Sequence, residues 1–120
     1  MFVTTPWYEP FGITPVEAMA CGTPVVGSAV GGIQYTVRDG ETGFLVPPKN
    51  PQALARRLRD LFQQPQLLRD MGRAGIRRAN SLFTWKRVTE MVAELYEEVA
   101  PAALEPERPT WRLVPARVQR

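Results

Sequence analysis

Residues 8–17, "YEPFGITPVE", set two carboxylates, Glu9 and Glu17, on either side of a glycine and a helix start. Gly12 has no side chain, so backbone there can come close to a ligand. The helix that follows offers unpaired N–H groups and a positive dipole end at residues 13–16, a setting suited to phosphate. Glu17, one turn into that helix, can accept two hydrogen bonds from the vicinal hydroxyls of a ribose, as acidic residues do in dinucleotide folds. Glu9 precedes the glycine and can reach hydroxyls on whatever hangs from the far phosphate. A ribose site, a diphosphate site and a polyol site in line are the parts of a nucleotide-sugar. Taken singly, the residues have plainer readings. Glu17 stands three residues after Thr14 in capping-box spacing, and Glu9 can be a loop charge. The residues alone leave ligand site and capping both open.

These residues need a scaffold, and the chain supplies an α/β pattern. "MFVT", 1–4, reads as a short buried strand. A helix over 13–20 follows, with Thr14 as cap, Pro15 in its first turn and Gly22 as terminator. "TPVVGS", 23–28, is apolar on both faces, as an interior parallel strand would be. "VGGIQYTV", 30–37, is a glycine-led loop with one helical turn. "DGETG", 39–43, is turn chemistry, and "FLV", 44–46, is a third strand. Asn50 and Pro51 then start a helix whose inward face holds Leu54, Leu58, Leu61 and Phe62. After Pro65 a helix runs from 66 to 80 with Leu67, Leu68 and Met71 inward. Thr84 caps a last helix, whose stripe is Trp85, Val88, Met91, Val92, Leu95, Tyr96 and Val99. Trp85 and Tyr96 are read as core, and so is Cys21. From Pro101 the sequence is Pro-rich and aperiodic, read as an extended or disordered tail strapped through Trp111.

Composition sets the limits. The 120 residues make room for one ordinary domain, 1–100, before the 101–120 tail. With no histidine, His-based acid–base or metal chemistry is excluded within the chain. One cysteine, Cys21, allows no internal disulfide. No apolar run nears the ~20 residues of a bilayer span, and no secretory signal is visible. Residues 49–80 carry eight basic and two acidic side chains, net +6, while residues 1–48 carry one and four, net −3. The basic row Arg69, Arg73, Arg77 can face an anionic partner or membrane surface, or simply water.

The stretch "YEPFGITPVEAMACGTPVVGSAVGGI" resembles the donor-binding signature of retaining GT-B glycosyltransferases of the family 4 type, also called glycosyl transferases group 1. Its E-x7-E hallmark falls on Glu9 and Glu17. "DGETGFLVPP" and the segment "FTW" with Tyr96 downstream also look like that family, over residues 1–98. The resemblance implies the back half of a Rossmann-like donor domain with about three parallel strands. It implies that Glu9 contacts the donor sugar in the catalytic role, that Glu17 binds the ribose, and that Phe11, Gly12, Ile13 and Thr14 cradle sugar and diphosphate. Gly31 and Gly32 stand where a loop contact to the ligand is open, a tight turn being the other reading. Transfer would proceed with retention by front-face attack, the protein supplying position and charge stabilisation, with no metal and no cofactor.

Where the family commonly has Pro-Glu, this chain has Gln34 and Tyr35, so no ligand role falls to that pair. Against the family's length, the acceptor domain and the first half of the donor domain are not in this sequence, and residues 1–37 hold no basic side chain to neutralise a diphosphate. The expectation is therefore a carboxy-terminal donor-domain fragment, inactive alone, that needs a nucleotide-diphosphate-sugar and an acceptor domain or complementary chain. A non-catalytic relic or partner subunit is the alternative. No nucleic-acid partner is implied. The location expected is cytoplasmic, with a peripheral seat on the inner face of the membrane left open.

Overall fold

The computed structural model describes residues 1–100. The Pro-rich tail and Trp111 lie outside those residues. Three parallel strands, β1 (Phe2–Thr4), β2 (Val25–Ser28) and β3 (Gly43–Val46), form a sheet in the order β1-β2-β3. Val25 pairs with Phe2 on one side and Gly43 on the other. Every residue of β2 is buried. Val25 points into a cluster with Met19, Ile33, Val37 and Ala79, while Val26 joins Val46, Leu61 and Met71 on the opposite face. This two-sided burial is why β2 reads as a continuous apolar run. The fold class read from the sequence holds.

Five helices complete the described chain: α1 (Ile13–Ala20), α2 (Ile33–Thr36), α3 (Pro51–Phe62), α4 (Pro65–Leu82) and α5 (Trp85–Val99). Helix α1 ends where Gly22, at φ +72°, donates to the Met19 carbonyl and Thr23 donates to that of Ala18, both at 2.9 Å. That crossed pair satisfies the last carbonyls and needs a left-handed residue, hence glycine. Asn50 caps α3 by accepting from the Ala53 amide at 2.9 Å, and Thr84 caps α5 by accepting from Arg87 at 3.2 Å.

Helix α4 holds α1 in place. Its buried face is Met71, Gly72, Ala74, Gly75 and Ala79. A Cβ on Gly72 would stand 2.2 Å from the Gly22 carbonyl oxygen, and one on Gly75 would stand 3.2 Å from Met19. Two glycines thus let α4 lie directly on α1. On the outer face of α4, Arg69 is hydrogen-bonded to Gln66 and Arg73 pairs with Asp70, all in solvent. Among the described residues, no helix is long and apolar enough to cross a membrane.

Four local expectations are corrected. Thr14 does not cap α1: the N-cap is Gly12, in left-handed conformation, and no side chain caps the helix. Phe62 is exposed, because it lies 100° round α3 from Leu61, outside the arc of Leu54, Leu58 and Leu61. Cys21 is exposed, since the buried residues of α1 are Pro15 and Met19 and the chain turns away at Cys21. Trp85 and Tyr96 are not core: α5 has no buried residue, with Trp85 88% and Tyr96 68% exposed. The α5 stripe has the expected period, but among the described residues nothing packs over it.

Candidate functional site

Because the strands are parallel, the loops after β1, β2 and β3 meet at one edge, the carboxyl end of the sheet, where open α/β folds place ligands. The loop after β1 carries Glu9 and leads into α1. Glu9 is half-buried, and its Oε1 accepts from the Gly12 amide at 3.0 Å. That bond closes the loop over Pro10 and Phe11 and fixes where α1 begins. Gly12 sits at φ +86° and ψ +47°, a conformation that costs an L-residue about 1–2 kcal/mol. It is buried, and a Cβ there would meet Thr36 Oγ1 at 3.1 Å and Ile33 at 3.4 Å. Gly12 therefore admits helix α2, whatever it also allows a ligand.

The loop after β2 is docked onto this turn. The Gly32 amide donates to the Glu9 carbonyl at 2.9 Å. A Cβ on Gly31 would lie 2.0 Å from the Glu9 oxygen, and one on Gly32 would lie 2.1 Å from the Phe11 oxygen. The Gly31-Gly32 pair is thus the seam between two loops. Phe11 is braced from a third side, its ring edge-to-face with Phe83 at 6.4 Å.

This setting leaves the first turn of α1 facing outward. Ile13 and Thr14 are exposed, Pro15 has no N–H, and the first intrahelical partner is Val16, which donates to Gly12 at 3.4 Å. The Ile13 and Thr14 amides are orphan donors of a helix start with no side-chain cap. Glu17 is exposed one turn further on, and among the described residues its carboxylate has no hydrogen-bond partner. Helical rise puts it about 6 Å along the axis from Ile13. The structure thus brings Glu9, Phe11, Gly12, Ile13 and Thr14 into one turn, with Glu17 on the helix leading from it and Gly31 and Gly32 beneath.

Two features escaped sequence reasoning. Arg78 of α4 donates through Nε to the Thr36 carbonyl at 2.9 Å and through a terminal nitrogen to that of Tyr35 at 2.6 Å. It closes the carboxyl end of α2 and, with its guanidinium 5.7 Å from the Phe83 ring, steadies the ring that braces Phe11. Partial burial, then the like charge of Arg38, lowers the Arg78 pKa from its usual value, and Glu41 opposes this. Nothing in the spacing of the basic run singles this arginine out. The second feature is a cleft of about 350 Å³ at the same sheet edge, toward α3, lined by Thr5, Trp7, Ser28, Lys49, Asn50 and Leu54 among others. Lys49 Nζ lies 5.8 Å from the Trp7 ring. Neither glutamate lines this cleft. Among the described residues, no three His, Cys, Asp or Glu side chains gather as metal ligands.

The family described as Glycosyl transferases group 1 matches residues 1–78. This chain belongs to that family. A D-inositol 3-phosphate glycosyltransferase from Paenarthrobacter aurescens is 42% identical over 100 residues, covering 83% of this chain and 24% of its own length. A solved sucrose-phosphate synthase from Thermosynechococcus elongatus superposes with a TM-score of 0.70 at 46% identity, over 77% of this chain and 23% of its own. The Anabaena protein HepE, solved with UDP, gives 0.70 at 32% identity over 76% and 25%. HepE has also been solved with UDP-glucose. The chain spans about a quarter of each of these group 1 relatives.

Proposed function

We propose that residues 1–100 form part of the donor site of a retaining glycosyltransferase and bind a nucleotide-diphosphate-sugar. The observation that carries this is the uncapped start of α1, opening at the carboxyl end of a parallel sheet between Glu9 and Glu17. In this reading the Ile13 and Thr14 amides take a phosphate oxygen, supported by the helix dipole. Glu17 accepts from the two ribose hydroxyls. Glu9 spends one carboxylate oxygen on Gly12 and offers the other to the donor sugar. Phe11 and Gly12 set the floor of the sugar site, and Gly31 and Gly32 hold that floor level. The chain supplies position and hydrogen bonds rather than a covalent nucleophile. Retention follows from attack on the face the diphosphate leaves, with the diphosphate helping to take the acceptor proton. Acceptor binding and the charges that neutralise the diphosphate come from residues supplied in the same or a complementary chain. The solved HepE complexes with UDP and UDP-glucose support the choice of donor class.

Calorimetric titration of the 120-residue chain with UDP and with inorganic pyrophosphate tests the reading. UDP is expected to bind weakly, near 1 mM or about −4 kcal/mol, since residues 1–37 hold no basic side chain. Glu17→Ala removes a charged pair of hydrogen bonds worth about 1.5–3 kcal/mol. It should take UDP binding out of range while leaving pyrophosphate binding as it was. UDP affinity unchanged by Glu17→Ala would contradict the ribose role.

A further inference from the structure

Ser28 ends β2 with a hydroxyl that the fold leaves unused. Among the described residues the buried polar side chains are Ser28, Thr36 and Thr42. Thr36 donates to the Ile33 carbonyl, and Thr42 accepts from the Arg38 amide. Ser28 is only 2% exposed, yet its hydroxyl has no hydrogen-bond partner among the described residues. No side-chain oxygen or nitrogen among them is both sealed from solvent and unpartnered, so this hydroxyl opens on a cavity. Strand alternation puts Ser28 on the same face as Val26, toward α3. That face carries the cleft of about 350 Å³, which Ser28 helps to line. A buried hydroxyl left without a partner costs stability that an alanine would not.

We propose that this cleft is a second carbohydrate site, which takes a neutral hexose with its ring against Trp7 and its hydroxyls on Ser28, Thr5 and Asn50. Its volume lies at the lower end of the ~300–1,000 Å³ of small-molecule sites, which are likewise mostly apolar with a few placed polar groups. Val46 and Leu54 supply apolar wall, and Trp7 is an 80% exposed aromatic rim. Hydroxyls both donate and accept, which suits a ligand built of hydroxyls, and an aromatic face suits the C–H face of a pyranose. Asn50 spends its side-chain oxygen on the Ala53 amide, leaving its nitrogen as a donor. The cleft is poorly equipped for an anion. Lys49 is the one charged residue among the described residues that line it, and its Nζ lies over the Trp7 ring. At the start of α3, Pro51 has no N–H and the Ala53 amide is already taken, so little remains there for a phosphate. Neither Glu9 nor Glu17 lines the cleft, so the proposal stands apart from the donor-site reading.

Amide and indole chemical shifts of the isotope-labelled 120-residue chain test this, in titrations with glucose, galactose and mannose and, separately, with inorganic phosphate. At least one hexose is expected to shift the Trp7 indole N–H and the Ser28 and Asn50 amides in the millimolar range, with Ile13 and Thr14 still. Phosphate should leave the three cleft signals in place. Trp7→Ala, at an exposed loop residue, should weaken hexose binding about tenfold. Ser28→Ala should weaken it about fivefold and melt no lower than the parent, since it removes a buried hydroxyl that has no partner. A serine with a purely structural role would do the reverse, lowering the melt and leaving the hexose shifts intact. Cleft signals unmoved by all three hexoses overturn the proposal. So do hexose shifts confined to residues 11–14, or cleft signals that answer phosphate more strongly than sugar.

Discussion

Replacing Gly32 by alanine separates a loop-packing role for the Gly31-Gly32 pair from a ligand-clearance role. The added methyl would stand 2.1 Å from the Phe11 oxygen, 2.2 Å from its carbonyl carbon and 2.3 Å from its Cα. All three are backbone atoms, so no rotamer change relieves the clash. Reaching even 3.0 Å from the oxygen requires the two loops to part by roughly 1 Å. The 2.9 Å bond from Gly32 to the Glu9 carbonyl then lengthens beyond hydrogen-bonding range. Losing that bond costs about 1 kcal/mol, and the overpacking adds about 1–3 kcal/mol. A total of about 2–4 kcal/mol should lower the melting temperature by at least about 8 °C. Gly40→Ala is the control. Its φ is +78°, but no atom lies within 4 Å of the new methyl, so only the left-handed strain of about 1–2 kcal/mol applies. Thermal melts followed by circular dichroism give the comparison. If Gly32→Ala melts within 1 °C of the parent without added ligand, the docked-loop geometry is wrong.

Other substitutions probe the same assembly. Glu9→Gln keeps an acceptor for the Gly12 amide and should melt like the parent, whereas Glu9→Ala loses that bond and about 1 kcal/mol; equal melting of the two would mean the bond adds nothing. Arg78→Ala frees the Tyr35 and Thr36 carbonyls and should cost about 1.5–3 kcal/mol in urea unfolding, with Arg78→Lys a poor substitute because one ammonium cannot reproduce the fork; full recovery by lysine would refute the two-carbonyl role. Asn50→Ala removes the α3 cap and should cost about 1 kcal/mol, checked by the same unfolding curve. The purified chain alone should transfer no sugar from UDP-glucose; turnover in a preparation free of host enzyme would show that the acceptor machinery lies within these 120 residues.

Much of the fold was legible because the relevant forces are local. Apolar runs bounded by Gly and Pro marked β1, β2 and β3, and Asn50-Pro51 and Thr84 announced the starts of α3 and α5. Gly22 was read correctly as a terminator because the left-handed turn it makes depends on its own backbone. Thr14 was misread because capping-box spacing is local, while the choice of Gly12 as N-cap is made by α2, which leaves no room for a side chain there. The small face of α4 was missed for a related reason. Gly72 and Gly75 carry no hydrophobic signal, and their purpose appears only when α1 lies against them. The α5 stripe shows the converse: periodicity reports that a face is apolar, not what covers it. For the candidate site, sequence and resemblance marked Glu9, Phe11, Gly12, Ile13, Thr14 and Glu17. The Glu9–Gly12 bond, the loop seam and the Arg78 brace each depend on contacts that no spacing encodes.

Amide chemical shifts of the isotope-labelled chain during titration with UDP test the central claim most directly, because they register weak binding residue by residue. The account predicts that Ile13 and Thr14 shift most, with Gly12 and Glu17 following, while Gly40 and the start of α3 stay still. Shifts concentrated at Thr5, Trp7, Lys49 and Asn50, with Ile13 and Thr14 unmoved, would place the nucleotide in the α3-side cleft and contradict it.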